Sequence, residues 1–155
     1  MPRGRVNPVN AAPRVRGKAL VWVVRPGRAG HEVLLLERPR LSGGGLHPVT
    51  GKSDAREPPA QTAAREAREE TGLSGALTDL GFEHRFRAAK PGKRLVEWVE
   101  RAFLLLVPAG TEPRLSEEHV AHQWVPLAEA GAFLEWAAHR ESLQRVMEQL
   151  GRAGC

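Results

Sequence analysis

The chain has no tyrosine, and its one cysteine is the last of its 155 residues, Cys155. A single thiol excludes an intramolecular disulfide, and no Cys/His cluster offers a zinc site. That cysteine usage fits a reducing compartment, and a cytoplasmic location is expected. Long apolar runs are missing too. The longest, at 19–24 and 102–107, fall far short of the ~20 residues a membrane helix needs. The opening MPRGRVNPVNAAPRVRGK is basic but lacks an apolar centre, so it is not expected to act as a secretory signal. Pro2, Pro8 and Pro13 oppose the helix of an Arg-rich transit peptide. Residues 1–17 are therefore expected to form a solvated tail. There is no internal repeat and no low-complexity core.

What is present suits one globular domain, expected over 18–151 with a short tail at 152–155. The apolar share is 41%, the charged share 26%, and the formal net charge of +5 favours anionic partners.

Residues 18–24 (KALVWVV) predict a strand buried on both faces, because nearly every side chain is apolar and most are β-branched or aromatic. Pro26, Gly27 and Gly30 mark a turn, and EVLLLE at 32–37 makes the second arm of a hairpin. SGGG at 42–45 is a loop. HPVT at 47–50 is interrupted by Pro48 and reads as an edge or a strand entry. Residues 61–71 are good helix formers, opened by Pro58-Pro59 and stopped at Gly72, where a left-handed cap is wanted. Two long strands follow at 76–89 and 95–107, joined by the turn AKPGK. VAHQWV at 120–125 is another strand. A helix broken near Gly131 is expected over 127–136. Leu143, Val146, Met147 and Leu150 have the spacing of an amphipathic helix. This order predicts an α/β domain, a mixed sheet with helices packed on its faces.

The segment 51–73 reads GKSDAREPPAQTAAREAREETGL. On a helix, Glu66 faces Glu69 and Glu70, and like charges at such spacings repel. One explanation is a solvated face offset by Arg65 and Arg68. The other is a divalent-cation site, since magnesium takes a few carboxylates together with waters and substrate phosphates.

The whole segment resembles the signature of the Nudix hydrolase family, G-x5-E-x7-R-E-U-x-E-E-x-G-U with U apolar. Gly51, Glu57, Arg65, Glu66, Ala67, Glu69, Glu70, Gly72 and Leu73 fill all nine specified positions. The resemblance implies a Nudix-type α/β/α sandwich with a mixed sheet and a catalytic loop–helix–loop. It implies Mg²⁺, or Mn²⁺, held mainly by Glu69 and Glu70, with a backbone carbonyl from Gly51 or Thr50. Glu66 would be a further ligand, or would orient or deprotonate the attacking water. Arg65 would pair with Glu57 and brace the loop. Family members often carry glycine just before the position of Glu57. Here it is Arg56, which is expected to take a backbone conformation that glycine prefers.

Outside the motif, Glu118 is the expected late-loop acid that completes the metal site or acts as base, with Glu117 as fallback. Lys52, Arg38 and Arg87 are candidate phosphate ligands. Arg87 belongs to a basic cluster with Arg85, Lys90, Lys93 and Arg94, which equally suits an exposed, soluble turn. Trp98 is the candidate for stacking on a ring, and at least three of the four tryptophans are expected in the core.

Subfamily markers narrow the substrate. The tyrosine usual in the family's diadenosine polyphosphate hydrolases is absent. Ala88 and Ala89 stand where ADP-ribose hydrolases usually carry proline, and the NADH-type string SQPWPFPQS is missing. HPVTGKSD and EHVAHQWVPLAEA are similar to the dihydroneopterin triphosphate and dATP pyrophosphohydrolase group, although Leu46-His47 replaces an expected aromatic. The expected function is thus metal-dependent hydrolysis of a nucleoside or nucleoside-like triphosphate at a phosphoanhydride bond, releasing pyrophosphate or phosphate. The partner would be that small nucleotide, not a membrane or a nucleic acid, and the chain would be a monomer or a homodimer. The alternative is a Nudix-fold nucleotide-binding or regulatory module that has lost turnover. An RNA-binding domain is a third reading, suggested only by Phe86 between Arg85 and Arg87.

Overall fold

A computed structural model describes residues 13–117, 119 and 121–153. The strands are β1 (Arg14–Gly27), β2 (Gly30–Glu37), β3 (Leu46–His47), β4 (Val49–Lys52), β5 (Leu77–Ala88), β6 (Val96–Leu106) and β7 (Ala121–Pro126). The helices are α1 (Pro59–Thr71) and α2 (Ala137–Ala153).

β1 is the spine of a mixed sheet. β6 runs parallel along one edge of it, from Arg14 against Val96 to Val24 against Leu106. On the other edge β2 pairs with β1 only at 24–27, and β4 pairs at 18–21. β2 therefore peels away from β1 and pairs instead with β3 and β7. β4 takes the vacated edge, which brings Thr50 and Gly51 into the seam. β5 hangs antiparallel on β6.

The apolar run of β1 supplies two cores by simple alternation. Leu20, Trp22 and Val24 enter one, with Leu143 and Val146 of α2. Ala19, Val21 and Val23 enter the other, with Ala63 and Ala67 of α1. The two helices thus cover opposite faces of the sheet, as an α/β/α sandwich requires. α2 is held by large side chains. Leu143 is almost wholly buried, a contribution of about 1.5–3 kcal/mol. α1 offers its core only alanines and threonines, so it depends on polar contacts described below. Pro59 sits at its first turn without needing a donor, and Gly72 closes it at φ 71° with its N–H on the Arg68 carbonyl at 2.9 Å.

Three boundaries differ from expectation. β1 starts at Arg14, so residues 14–17, expected in the tail, are strand paired to β6. Pro48, which cannot donate to a ladder, separates β3 from β4 rather than ending an edge. The helix expected over 127–136 is only a 3-10 turn, Ala130–Phe133, and helix resumes at Ala137. Gly131 is a poor helix former, and the bonds here close at three residues, such as Leu134 N–H to the Gly131 carbonyl at 3.3 Å.

Candidate active site

Gly51 and Glu66 interlock. A Cβ at position 51 would lie 2.0 Å from Glu66 Cδ, so the motif's glycine is the space that the glutamate occupies. One residue earlier on α1, Arg65 ties the segment together. Its Nε donates to Glu57 Oε2 and its Nη2 to Glu57 Oε1, each at 2.9 Å. Nη1 donates to Glu66 Oε1 at 2.9 Å and to Glu69 Oε2 at 3.1 Å. Nη2 also reaches the Lys52 carbonyl at 2.9 Å. One guanidinium therefore joins loop, strand and helix. Hydrogen bonds from Arg65 hold the Glu57 carboxyl down at about 2, against the opposing cost of burial. The same contacts, Glu57's first, raise the Arg65 guanidinium above its ordinary value.

The loop before α1 carries the expected irregularity. Arg56 is the one non-glycine residue with positive φ among the described residues, at 61°. The turn is closed by Glu57 N–H on the Asp54 carbonyl at 3.0 Å and by Asp54 N–H on Glu57 Oε1 at 3.1 Å.

Glu70 turns inward. It is buried at 7% exposure and lines a cavity of about 440 Å³ with Thr50, Arg38, His47, His119 and Glu117. The late loop reaches this cavity because backbone bonds tie it to the end of α1. Arg114 N–H donates to the Thr71 carbonyl at 2.8 Å and Ser116 N–H to the Glu70 carbonyl at 3.1 Å. Glu117 thus stands on the same wall as Glu70. Glu118 lies outside the described residues. Burial pushes the His47 imidazole down to about 3, with Arg38 adding to the effect, so this ring is neutral at pH 7. Its Nδ1 is 2.6 Å from the Pro48 carbonyl, which can only accept, and this places the ring proton on Nδ1.

Other expected ligands are dispersed. Arg38 lines the Glu70 cavity and also two neighbouring ones. Lys52 is exposed, and its Nζ lies 5.4 Å from the Trp98 ring centre rather than in the Glu70 cavity. Arg16 approaches the same ring at 5.2 Å, so Trp98 is flanked by cations. Arg87 is exposed beside Glu97 at 3.9 Å and lines none of these cavities, and the rest of the hairpin's basic cluster is exposed as well.

The expectation for the tryptophans needs correction. Only Trp22 is wholly buried, with its Nε1–H on Ser142 Oγ at 2.9 Å, and Trp136 is 60% exposed on a cavity wall. The missing helix at 127–136 is the reason, since it leaves Trp136 just ahead of α2 rather than on a packed helix face.

One group of residues was not anticipated. Lys18, His84, Phe86, Glu100, Trp136 and His139 line a cavity of about 540 Å³ that shares Arg38 and Thr50 with the Glu70 cavity. Burial raises the proton affinity of Glu100 and lowers that of Lys18, each partly offset by the other. Burial also pushes the His139 imidazole down to about 4, with Lys18 next in effect.

The donor set fits a hard divalent cation. Glu66, Glu69 and Glu70 share one helix with the Gly51 backbone against it, and all are oxygen ligands. Among the described residues no three His, Cys, Asp or Glu side chains already converge on one point, because Arg65 holds Glu66 and Glu69 while Glu70 faces the cavity.

Comparison with known proteins agrees with this architecture. A Myxococcus xanthus protein named octanoyltransferase is 37% identical over 139 residues, 89% of this chain, but the chain spans only 38% of that protein's length. Mouse bis(5'-nucleosyl)-tetraphosphatase [asymmetrical] is 32% identical over 120 residues, covering 73% of this chain and 76% of the mouse protein. A Nudix hydrolase structure from Listeria monocytogenes superposes with a TM-score of 0.72 at 24% identity, covering 92% of this chain and 97% of the other. The NUDIX domain model matches residues 15–146, and with the Gly51–Glu66 interlock inside that span, the chain belongs to the Nudix family.

Proposed function

We propose that the protein hydrolyses a phosphoanhydride bond in a nucleoside, or nucleoside-like, triphosphate. The observation that carries this is the cavity where buried Glu70 meets Arg38, Thr50 and Glu117, directly beside the Gly51–Glu66 interlock. An acid and a base of opposite charge facing one open volume suit a polyphosphate held by both a cation and a guanidinium. The family relationship supports the reaction class, and the mouse relative acts on a bis-nucleosyl polyphosphate by name.

In this reading Glu66, Glu69 and Glu70 hold Mg²⁺ or Mn²⁺, with the Gly51 carbonyl. The cation supplies charge neutralisation at phosphate oxygens and a more acidic water. The chain's own residues do the rest. Arg38 pairs with a phosphate at the junction of the cavities, and Lys52 adds positive charge at the rim. Glu66 or the late-loop pair Glu117 and Glu118 takes the proton from the attacking water. Arg65 is a positioning residue, because it fixes Glu66 through Nη1 and the loop through Glu57.

The test is release of phosphate or pyrophosphate from a panel of nucleoside triphosphates with Mg²⁺ or Mn²⁺. Wild type is expected to turn over, and Glu70→Gln to lose at least roughly a hundredfold in kcat while still binding nucleotide. Binding without turnover by wild type would replace the enzyme with a binding or regulatory module.

A further inference from the structure

The 540 Å³ cavity has no part in the bond-breaking chemistry above, yet charged and polar side chains stand in its mostly apolar wall. Its floor is the sheet. The parallel register of β1 and β6 sets Lys18 beside Glu100, and the β5–β6 register sets His84 on Glu100's other side. Glu100 is 4% exposed, and among the described residues Lys18 and His84 act on its carboxylate through charge rather than through a hydrogen bond. Lys18 feels its charge without bonding to it. A buried carboxylate left this way is costly, and burying it needs a return elsewhere. Both of its oxygens, and the lysine's three N–H donors, remain available to a third group.

Resting on the hydrolysis reading, we propose that Glu100 and Lys18 read the amino–oxo pyrimidine edge of the substrate's ring, the edge carried by guanine and by pterins. Glu100 accepts from the ring N–H and the adjacent amino group, and Lys18 donates to the oxo oxygen. Only this edge presents two neighbouring N–H donors followed by an acceptor, so it forms three bonds with the pair. Adenine and cytosine offer an amine beside an unprotonated nitrogen, and uracil a single N–H between two oxygens. Each of these satisfies at most one carboxylate oxygen. Trp136 gives the ring a flat apolar wall, and Phe86, with His84 stacked on it at 5.4 Å between centroids, adds apolar lining. Thr50 and Arg38 line both this cavity and the one with Glu70, so a ring seated here directs its phosphates toward Glu70.

The decisive comparison is GTP against ITP, which lacks only the 2-amino group. Wild type is expected to prefer GTP in kcat/KM by roughly tenfold to hundredfold. Glu100→Gln, which turns one acceptor into a donor, should bring that ratio close to one. Equal use of GTP and ITP by wild type overturns the proposal, as does an unchanged ratio in a folded Glu100→Gln. If that variant does not fold, Lys18→Met replaces it. Its preference for GTP over 2-aminopurine riboside triphosphate, which lacks the oxo group and with it the neighbouring ring N–H, should fall, and an unchanged preference overturns the proposal. If no triphosphate is hydrolysed at all, the hydrolysis reading fails by itself. Tryptophan fluorescence titrations with GMP and IMP, without metal, then decide the cavity: tighter GMP sustains the ring-edge assignment and equal affinity ends it.

Discussion

Glu57 and Glu100 are both glutamates, Glu57 half-buried under Arg65 and Glu100 buried at 4% exposure, and their proton affinities move in opposite directions. Arg65 grips Glu57 with two bonds of 2.9 Å and outweighs the cost of burial, so that carboxyl falls to about 2. Lys18 senses Glu100 without bonding to it, and burial wins, so that carboxyl rises. Short charge-assisted bonds at Glu57, and deeper burial beside an unbonded charge at Glu100, set the two directions apart. The first arrangement is saturated and serves as a brace. The second keeps bonding capacity in hand, which is the mark of a site waiting for a ligand.

Removing Arg65 is the largest way to break the contrast. Arg65→Met leaves Glu57 a buried carboxylate without its partner and frees Glu66 and Glu69 from Nη1. Hydrolysis should fall about 10–100-fold, the usual effect of losing a residue that orients ligands. The stability loss has a pH signature. Glu57's folded pKa lies below its ordinary 4.5, so its stabilisation is complete above pH 4.5 and disappears as pH falls toward about 2. The gap in Tm between wild type and Arg65→Met should therefore be widest above pH 4.5 and shrink toward pH 2 in calorimetry. A gap that does not change with pH would separate the brace from the titration of Glu57.

The cavity side should weaken earlier in an acid titration, which sharpens the contrast. His47 and His139 sit at about 3 and about 4, below the ordinary 6.5, because burial disfavours their charged forms. A depressed histidine contributes stability above pH 6.5, and that contribution is lost as pH falls toward its folded value. Each ring adds a slope of up to about 1.4 kcal/mol per pH unit in that window. Glu100, shifted upward, has the opposite sign, with its contribution lost as pH rises above 4.5. Urea midpoints should decline from pH 6.5 to 4, and His139→Gln should flatten the decline. The same slope in the variant would mean that another group titrates there.

The motif and the cavity also differ in how far the sequence announced them. Loop, helix and stop at 51–73 are contiguous, so spacing places Glu66, Glu69 and Glu70 on one face, while the pairing of Arg65 with Glu57 was legible only through the resemblance to the family motif. The doubly buried strand was legible because every residue of VWVV is apolar. The ring cavity was not, since Lys18 and Glu100 meet only through the parallel β1–β6 ladder, a pairing no local pattern signals, and Trp136 and His139 join them from α2 and the residues just before it. Trp98 drew notice by its place in a long hairpin, but its face is taken by Arg16 and Lys52, and the open tryptophan is Trp136. A lone lysine at the start of KALVWVV and a lone glutamate in LVEWVERAF look like ordinary polar positions until the register sets them side by side.

The smallest expected effect concerns the turn that feeds the brace. Arg56 holds φ at 61°, a conformation that costs a residue with a Cβ about 1–2 kcal/mol. Glycine adopts it freely but loses about 0.5–1 kcal/mol through the greater freedom of its unfolded chain. Arg56→Gly should then be neutral to about 1 kcal/mol more stable, a rise of a few degrees at most in Tm. Arg56→Ala is the control, because it removes the same long side chain and keeps the strain, so the glycine variant must melt above it. If alanine and glycine melt together, the turn carries no strain, and the Asp54–Glu57 bonds shape it at no cost. If glycine melts higher, those bonds hold a conformation that the arginine resists, and the brace around Glu57 is strong enough to bear it.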